Sequence, residues 1–247
     1  LDELGKNNIP RQLISHTHLI YSSPATLAFN SPGAEGFGVK RAGLAVPDSV
    51  MLIVSPGCCG RNTSVLSSMR AYQDRFYYLL MDETDIVTGR HLKKIPKAVA
   101  EICEGLKKKP SVVMICITCV DALLGTDMER VCHKAEEYAG VPVRPCYMYA
   151  LTREGRKPPM VHVRQSVYSL LEPKKKKGNV VNLLGYFSPL TDDCELYDLL
   201  HGAGVKTIHE ISRCKDYAQY QTMSEANFNL VLHPEARFAA EDFHDRL

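Results

Sequence analysis

Ser49–Gly60 reads SVMLIVSPGCCG, an apolar run that ends in a proline–glycine turn carrying two adjacent cysteines. Val50–Val54 is compact, apolar and bounded by turn residues, which predicts a short buried strand. Cys58 and Cys59 follow directly after the predicted strand. Two thiols at the exit of a buried strand are either small core residues or ligands, and the rest of the chain decides between these interpretations.

Apolar strands alternate with amphipathic helices beyond this turn. Phe76–Met81 and Val112–Ile117 have the compact apolar pattern of buried strands. Helical spacing of apolar residues predicts a helix over Leu92–Leu106. The capping-box sequence Thr126–Glu129 predicts the start of another helix, which Gly140 ends. This β-α-β-α order predicts an α/β fold, with a parallel sheet that carries helices on both faces.

The pattern restarts after the lysine run Lys174–Lys177, which predicts a solvated linker, with anion binding as the alternative. The elements predicted beyond it are a strand at Val180–Leu184, a helix at Thr191–His201, and strands at Val205–Ile211 and Phe228–Leu232. We therefore expect an N-terminal α/β domain over residues 1–173 and a second Rossmann-like domain over residues 174–247. The second domain is expected to be incomplete, because the chain stops soon after its last predicted strand.

Composition narrows the class of protein. The net charge is +2 over 247 residues, which gives no reason to expect nucleic acid or an acidic membrane surface as a partner. No apolar stretch is long enough to cross a bilayer, and the N-terminus lacks a signal-peptide pattern, so we expect a cytoplasmic protein. The nine cysteines are odd in number and scattered, which favours free thiols over a disulfide framework.

The placement of three thiols suggests a shared site. Ligands of doubly wound sheets bind beyond the carboxyl ends of the strands. Cys58 and Cys59 follow one predicted strand, and Cys119 follows another. Thiolates converging on one edge suit an iron–sulfur cluster or zinc. A four-iron cluster takes four thiolates, so a twofold interface would supply the half that one chain lacks.

Other cysteines have simpler interpretations. We expect core roles for the five that show no local ligand pattern: Cys103, Cys132, Cys146, Cys194 and Cys214. Cys116 and Cys119 form a C-x-x-C pair, which is compatible with a thioredoxin-like dithiol or half of a zinc site. Its position after the third predicted strand, rather than the first, disfavours the dithiol.

Several stretches together resemble one known family, the nitrogenase component 1 family. They are LIVSPGCCG (52–60), LLMDETDIVTGRHLKKIPKAVAEI (79–102), ITCVDALLGTDMERV (117–131), NVVNLLGYF (179–187) and ANFNLVLHP (226–234). The family holds the catalytic-protein subunits of nitrogenase, their cofactor-assembly relatives and the dark-operative protochlorophyllide reductase. The resemblance runs from about Ser31 to His233 and implies Rossmann-like α/β domains, of which this chain lacks the third.

The resemblance also implies a ligand set. The family's second cluster cysteine falls on Cys59, with Cys58 at the preceding position, and its third falls on Cys119. Ser31 stands at the position of the first, so the simplest expectation is one [4Fe–4S] cluster shared between two chains through Cys59 and Cys119. Cys58 is a candidate extra ligand. Arg61 either offsets the charge of the cluster or is an exposed loop arginine.

The implied activity is that of a nitrogenase-like oxidoreductase subunit. It would pass electrons from an ATP-dependent iron–sulfur reductase to an unidentified substrate, as a homodimer or with a paralogous subunit. The alternatives are a non-catalytic scaffold for metallocluster assembly or storage, and a binding module without a cluster. His233 replaces a cofactor-ligating cysteine of the molybdenum-containing subunit, so dinitrogen reduction with the standard cofactor is not expected. Asp85 is expected to fix a turn or cap a helix, and no catalytic residue is identified.

Overall fold

Strands and helices alternate along the described part of the chain. A computed structural model describes residues 38–57, 72–148 and 158–247. The first group of elements is α1 (Gly38–Gly43), β1 (Val50–Ser55), β2 (Phe76–Leu80), α2 (Glu83–Thr88), α3 (His91–Gly105), β3 (Val113–Thr118), α4 (Cys119–Leu124), α5 (Met128–Ala139), β4 (Val143–Met148) and α6 (Pro159–Tyr168). The second group is β5 (Lys177–Leu184), α7 (Glu195–Gly202), β6 (Thr207–Glu210), α8 (Tyr217–Gln221), β7 (Ala226–Val231) and α9 (Arg237–Arg246).

The first sheet is parallel, with strand order β2-β1-β3-β4. Its two central strands, β1 and β3, are buried along their whole length, as strands covered by helices on both faces must be. Leu52 and Ile115 belong to an apolar cluster with residues of α3 and α5, whereas Met51 and Met114 belong to a separate cluster with residues of α1 and α6. The predicted α/β architecture is confirmed.

The second sheet is also parallel, with strand order β6-β5-β7. Its core is continuous with one side of the first sheet, because α6 contacts β4 and α1 as well as α9. Tyr168 at the end of α6 meets Phe243 of α9 edge to face, with 5.7 Å between ring centroids. The division into domains at residue 174 stays a prediction, since α6 packs against elements of both groups.

Among the elements that the sequence prediction missed, β4 and α6 each have a physical reason. β4 carries Arg144 and Pro145 in its interior, which breaks up its apolar run. Arg144 pairs there with Glu136 of α5. α6 lies between the two sheets and is apolar on more than one side, with Val161, Val163 and Val167 all buried, so it has no single apolar stripe.

Element boundaries also differ from the prediction. α7 begins at Glu195 rather than near Thr191, β6 is shorter than Val205–Ile211, and β7 begins at Ala226. The predicted capping box at Thr126 is wrong, because Asp127 caps α5 by accepting a hydrogen bond from the Arg130 backbone at 3.1 Å.

Two other predicted features, the end of α5 at Gly140 and the exposure of the lysine run, are confirmed. Gly140 ends α5 with a left-handed φ of 61°. The lysine run is exposed, although Lys176 donates to the Ser224 carbonyl at 2.9 Å and Lys177 already belongs to β5. Within the ranges described, no helix is long and apolar enough to cross a membrane.

Arg164 of α6 is the main polar link between the two groups of elements. Its guanidinium donates to the Gly185 carbonyl at 2.7 and 2.9 Å and to the Met160 carbonyl at 2.9 Å. It also pairs with the Glu235 carboxylate at 2.8 Å, and both side chains are at most one tenth exposed. The buried Glu235 carboxylate and the Gly185 carbonyl therefore both accept hydrogen bonds from this one side chain.

Replacing Arg164 with Met should destabilise the protein by about 3–5 kcal/mol, because it leaves Glu235 as an uncompensated buried charge. Urea unfolding followed by circular dichroism measures the change. The matched control is Arg237→Met, which removes an exposed pair with Glu241 on α9 and should cost about 0.5 kcal/mol or less. Equal losses in the two variants would contradict the linking role of Arg164.

Candidate functional site

The exits of β1 and β3 lie side by side at the carboxyl edge of the first sheet. The two strands pair in parallel, with Val54 opposite Ile117, so Ser55 and Thr118 end neighbouring strands about 4.8 Å apart. Cys119 follows immediately as the first residue of α4. The register therefore brings together the two chain exits that precede the predicted ligands.

The other predicted site residues lie outside the described ranges. Cys58 and Cys59 follow Ser55 by three and four residues along the chain, and Arg61 comes two residues later. Their assignment as ligands and as a charge partner therefore stays a prediction. Within the described ranges, no group of three or more His, Cys, Asp or Glu residues is arranged to hold a metal ion.

Three buried polar atoms at this edge have no hydrogen-bond partner among the described residues. They are Ser55 Oγ, Thr118 Oγ1 and Asp121 Oδ2. Each belongs to a residue that is at most 1% exposed. Buried polar atoms are nearly always partnered, so this edge is built to meet further polar groups or a polar ligand.

Asp85 organises the acidic stretch that follows β2. It forms a capping box with Asp82 at the start of α2, in which the Asp85 backbone donates to the Asp82 carboxylate at 2.6 Å. Its own carboxylate is buried and accepts from Lys94 Nζ at 2.8 Å and Arg90 Nε at 2.7 Å. These hydrogen bonds, first from Lys94 and then from Arg90, hold the pKa of Asp85 well below its usual range. The expected capping role of Asp85 is confirmed.

A buried histidine–aspartate pair connects this stretch to the turn after β3. His91 Nε2 lies 2.9 Å from Asp121 Oδ1, and the side chains are 1% and 0% exposed. His91 Nδ1 lies 2.9 Å from the Asp85 carbonyl oxygen. Asp121 Oδ1 also accepts from the Thr126 hydroxyl at 3.2 Å. The pair therefore joins the starts of α2, α3 and α4.

The position of His91 in the sequence indicates burial but does not identify its partner. His91, Ile95 and Val99 recur every four residues and are all buried on one stripe of α3. A histidine on such a stripe must find a polar partner when it is buried. Nothing in the local pattern identifies Asp121 as that partner, because the contact spans 30 residues along the chain.

Four other described thiols lie in the core, whereas the core role predicted for Cys194 and Cys214 is not confirmed, because both are only half-buried. Cys103, Cys116, Cys132 and Cys146 are buried, as predicted for core residues in all but Cys116. Burial raises the pKa of Cys116 to about 12, so this thiol stays protonated near neutral pH. Cys116 also lies inside β3, where it faces the apolar cluster under α1 and α6. Cys116 therefore has the surroundings of a core thiol, which disfavours the C-x-x-C interpretation, and the pairing with Cys119 stays untested.

His233 lies at the carboxyl edge of the second sheet, beside Gly185. A Cβ on Gly185 would come within 2.7 Å of His233 Cβ and 2.8 Å of its backbone nitrogen, and the glycine has a φ of 131°. His233 Nδ1 accepts from the Glu235 backbone at 3.3 Å, and its ring meets Tyr186 edge to face. His233 thus caps the short 3₁₀ turn Pro234–Ala236.

Comparison with known protein families shows which family the chain belongs to. The sequence model of one protein family, the nitrogenase component 1 type oxidoreductases, matches residues 35–247, which is most of the chain. The chain belongs to this family. The match includes β1, β3 and the turn between β3 and α5, so the predicted resemblance is confirmed.

Curated relatives of this family share about a quarter of their residues with the chain. The nitrogenase iron-molybdenum cofactor biosynthesis protein NifE of Rhizobium meliloti is 28% identical over 176 residues, which are 68% of this chain and 37% of the relative. NifE of Klebsiella pneumoniae is 26% identical over 222 residues, which are 81% of this chain and 48% of the relative. The chain thus spans less than half the length of these relatives.

Solved structures of the same family share the fold. Nitrogenase Cp1 at pH 5 matches with a TM-score of 0.59 and 21% identity over 83% of this chain and 45% of its own. Nitrogenase Cp1 at pH 6.5 matches with a TM-score of 0.54 and the same identity over 78% and 40%. The parallel sheets are therefore those of nitrogenase component 1 proteins.

Asp85→Asn should remove part of the acid sensitivity of this protein. A carboxylate whose pKa is lowered by folding stabilises the native state fully above its unfolded pKa of about 3.9, and this stabilisation is lost progressively as the pH falls from there towards the lowered folded pKa. The variant should be less stable than the parent at pH 7, and the difference should shrink as the pH falls below about 5. Urea midpoints measured from pH 7 to pH 3 test this.

Glu101→Gln is the control, since Glu101 is an exposed carboxylate on α3. Its urea midpoints should follow those of the parent at every pH. A constant difference between Asp85→Asn and the parent over the whole range would contradict the assigned role of Asp85.

Proposed function

We propose that the chain is a subunit of a nitrogenase-like oxidoreductase that binds an iron–sulfur cluster through Cys59 and Cys119. The observation that carries this proposal is the parallel pairing of β1 with β3, whose exits are neighbours at one edge. Cys59 is the fourth residue after Ser55, which limits the distance between their Cα atoms to about 14 Å. This short separation supports a single cluster bound by Cys59 and Cys119.

The number of thiols favours a cluster shared between two subunits. A [4Fe–4S] cluster takes four thiolates, and Cys59 and Cys119 supply two. A second copy of the chain, or a paralogous subunit, would supply the others across a twofold interface. Cys58 is a candidate extra ligand, and Arg61 would offset the negative charge of the cluster. When bound, the cluster would accept and donate single electrons.

The apolar surface at this edge supports a subunit interface there. Four large apolar side chains on β2, α2 and α4 are between 51% and 86% exposed: Leu80, Val87, Leu123 and Leu124. All four come from the ends of strands β2 and β3 or from the helices that follow them. Exposed apolar side chains gathered at one edge are typical of a surface that another subunit covers.

The proposed route of electrons to the cluster is inferred from other members of the family. Members of the nitrogenase component 1 family bind iron–sulfur clusters and act in multi-subunit complexes with a reductase. We therefore infer that a separate ATP-dependent iron–sulfur protein delivers electrons to the cluster at this edge. The cluster passes them to a substrate that remains to be identified. Free thiols at all six described cysteines fit a reducing, cytoplasmic location.

The second candidate is a scaffold on which a metallocluster is assembled or stored. The names of the relatives favour it, since the curated proteins reported above are cofactor biosynthesis proteins. A scaffold would use the same thiols, but it would hand the cluster to an acceptor protein instead of reducing a substrate. The two functions therefore differ in the fate of the cluster and not in its ligands.

Iron analysis of anaerobically purified protein tests the ligands. The parent chain should hold about two iron atoms and two acid-labile sulfides per subunit, equal to one four-iron cluster for two subunits. Cys59→Ala and Cys119→Ala should each lose most of the iron. Cys194→Ala is the matched control, because Cys194 lies at the start of α7, on the second sheet. Its iron content should equal that of the parent.

Iron-free parent protein after anaerobic reconstitution would contradict the proposal. Full iron in both Cys59→Ala and Cys119→Ala would contradict the assignment of these ligands. Cys58→Ala shows whether the adjacent thiol binds iron as well.

A transfer assay separates the two candidate functions. The loaded protein is incubated with an apo-ferredoxin acceptor, and in parallel with an ATP-dependent iron–sulfur reductase and dithionite. An electron-transferring subunit should keep its iron in the first reaction and show an ATP-dependent change in its electron paramagnetic resonance (EPR) spectrum in the second. Loss of iron to the acceptor without any ATP-dependent reduction would favour the scaffold.

A further inference from the structure

We propose that His91 and Asp121 form a positioning pair that sets the orientation of the turn carrying Cys119. This inference rests on the proposed cluster site and adds residues that bind no iron themselves. Asp121 lies two residues after Cys119 in the first turn of α4. Through His91, it is tied to the start of α3 and to the backbone of α2.

The chain of contacts is short and closed to solvent. The Asp85 carbonyl oxygen, His91 Nδ1, His91 Nε2 and Asp121 Oδ1 are joined by two contacts of 2.9 Å each. The Thr126 hydroxyl reaches Asp121 Oδ1 from the other side at 3.2 Å, and the Thr126 backbone donates to the Asp121 carbonyl at 3.1 Å. The first turn of α4 is therefore tied both to His91 of α3 and to the segment that follows this six-residue helix.

The groups at the two ends of this row of contacts, the Asp85 carbonyl and the Asp121 carboxylate, determine which atoms donate and which accept. The Asp85 carbonyl can only accept, so His91 Nδ1 donates to it. The contact between His91 Nε2 and Asp121 Oδ1 then holds one proton, and each histidine nitrogen has a single, directional partner. Rotating α4 would break the contact to Asp121, and moving α2 would break the contact to Asp85.

Stability alone does not explain a fully buried pair of this kind. Replacing a buried ion pair with apolar side chains of similar size is often neutral or stabilising. What apolar residues cannot supply is a directional bond between two separate helices. Because α2 follows β2 and α4 follows β3, the pair fixes the relative placement of two strand exits next to the proposed cluster.

The helices that carry the exposed apolar side chains are positioned by the same hydrogen bonds. Val87 on α2 and Leu123 on α4 are 86% and 57% exposed, and each helix is anchored from within by Asp85 or Asp121. The pair therefore also sets the distance between the two helices that present the proposed subunit interface. Loss of the pair should disturb the ligand turn and this surface together.

The test compares His91→Leu, the double variant His91→Leu/Asp121→Leu, and the control His133→Leu in the full chain. His133 lies on α5 with its side chain 75% exposed. Three readouts are taken: the urea midpoint, hydrogen exchange over residues 119–127 in the iron-free protein, and the midpoint potential and EPR spectrum of the loaded protein.

The expected result separates positioning from stability. His91→Leu should lower the urea midpoint, because it leaves Asp121 buried without its partner. The double variant should regain most of that stability. Its exchange over residues 119–127 should nevertheless remain at least tenfold faster than in the parent, and its midpoint potential should remain shifted. The potential is expected to shift because it depends on the hydrogen bonds and charges around a cluster. The control, His133→Leu, should match the parent in all three readouts.

Parental exchange and potential in the double variant would overturn the positioning role and leave the cluster site standing. A parent protein that holds no cluster would overturn both, and this failure is visible without any substitution. If His91→Leu does not fold, Thr126→Val replaces it, since this variant removes only one hydroxyl from Asp121. Thr126→Val should shift the potential in the same direction, and an unchanged potential would again overturn the proposal.

Discussion

The parallel pairing of β1 with β3 is the constraint on which the site depends. Parallel strands have their carboxyl ends at the same edge of a sheet, so a residue that follows one strand is brought close to a residue that follows its neighbour. Here the residues after β1 include Cys58 and Cys59, and the residue after β3 is Cys119. Burial of both strands on both faces makes their register costly to change. The core therefore fixes the two strand exits that lead to Cys59 and Cys119, which are 60 residues apart in the chain, and the proposed shared site depends on this.

Around that point, polar groups are buried in a way that apolar packing does not require. Asp85 is tied to two cations, and His91 joins Asp85 to Asp121. Three side-chain oxygens that have no partner among the described residues, those of Ser55, Thr118 and Asp121, lie at the same edge. Burying polar groups costs stability unless they are hydrogen-bonded or paired. The hydrogen bonds of Asp85, His91 and Asp121 offset this cost and also fix how the helices at this edge are arranged.

The sequence alone predicted the architecture of the first sheet, because β1, β2 and β3 are compact apolar runs with turn residues at their ends. β4 escaped prediction because Arg144 and Pro145 interrupt its apolar pattern, and Arg144 finds its partner on α5. The thiols of the candidate site were found from their positions after strands, which is local information. His91 and Asp121 were not found, because their pairing depends on how two helices pack and not on any local pattern. The resemblance to the nitrogenase component 1 family was visible in short motifs and is confirmed by the match over residues 35–247.

Iron anomalous scattering from anaerobically grown crystals tests the central claim most directly. The account predicts one compact four-iron peak at the carboxyl edge of the first sheet, on or near a twofold axis. Cys59 and Cys119 from each of two subunits should lie within bonding distance of it. A peak bound by thiols of one subunit only, or iron at another place in the molecule, would contradict the shared cluster.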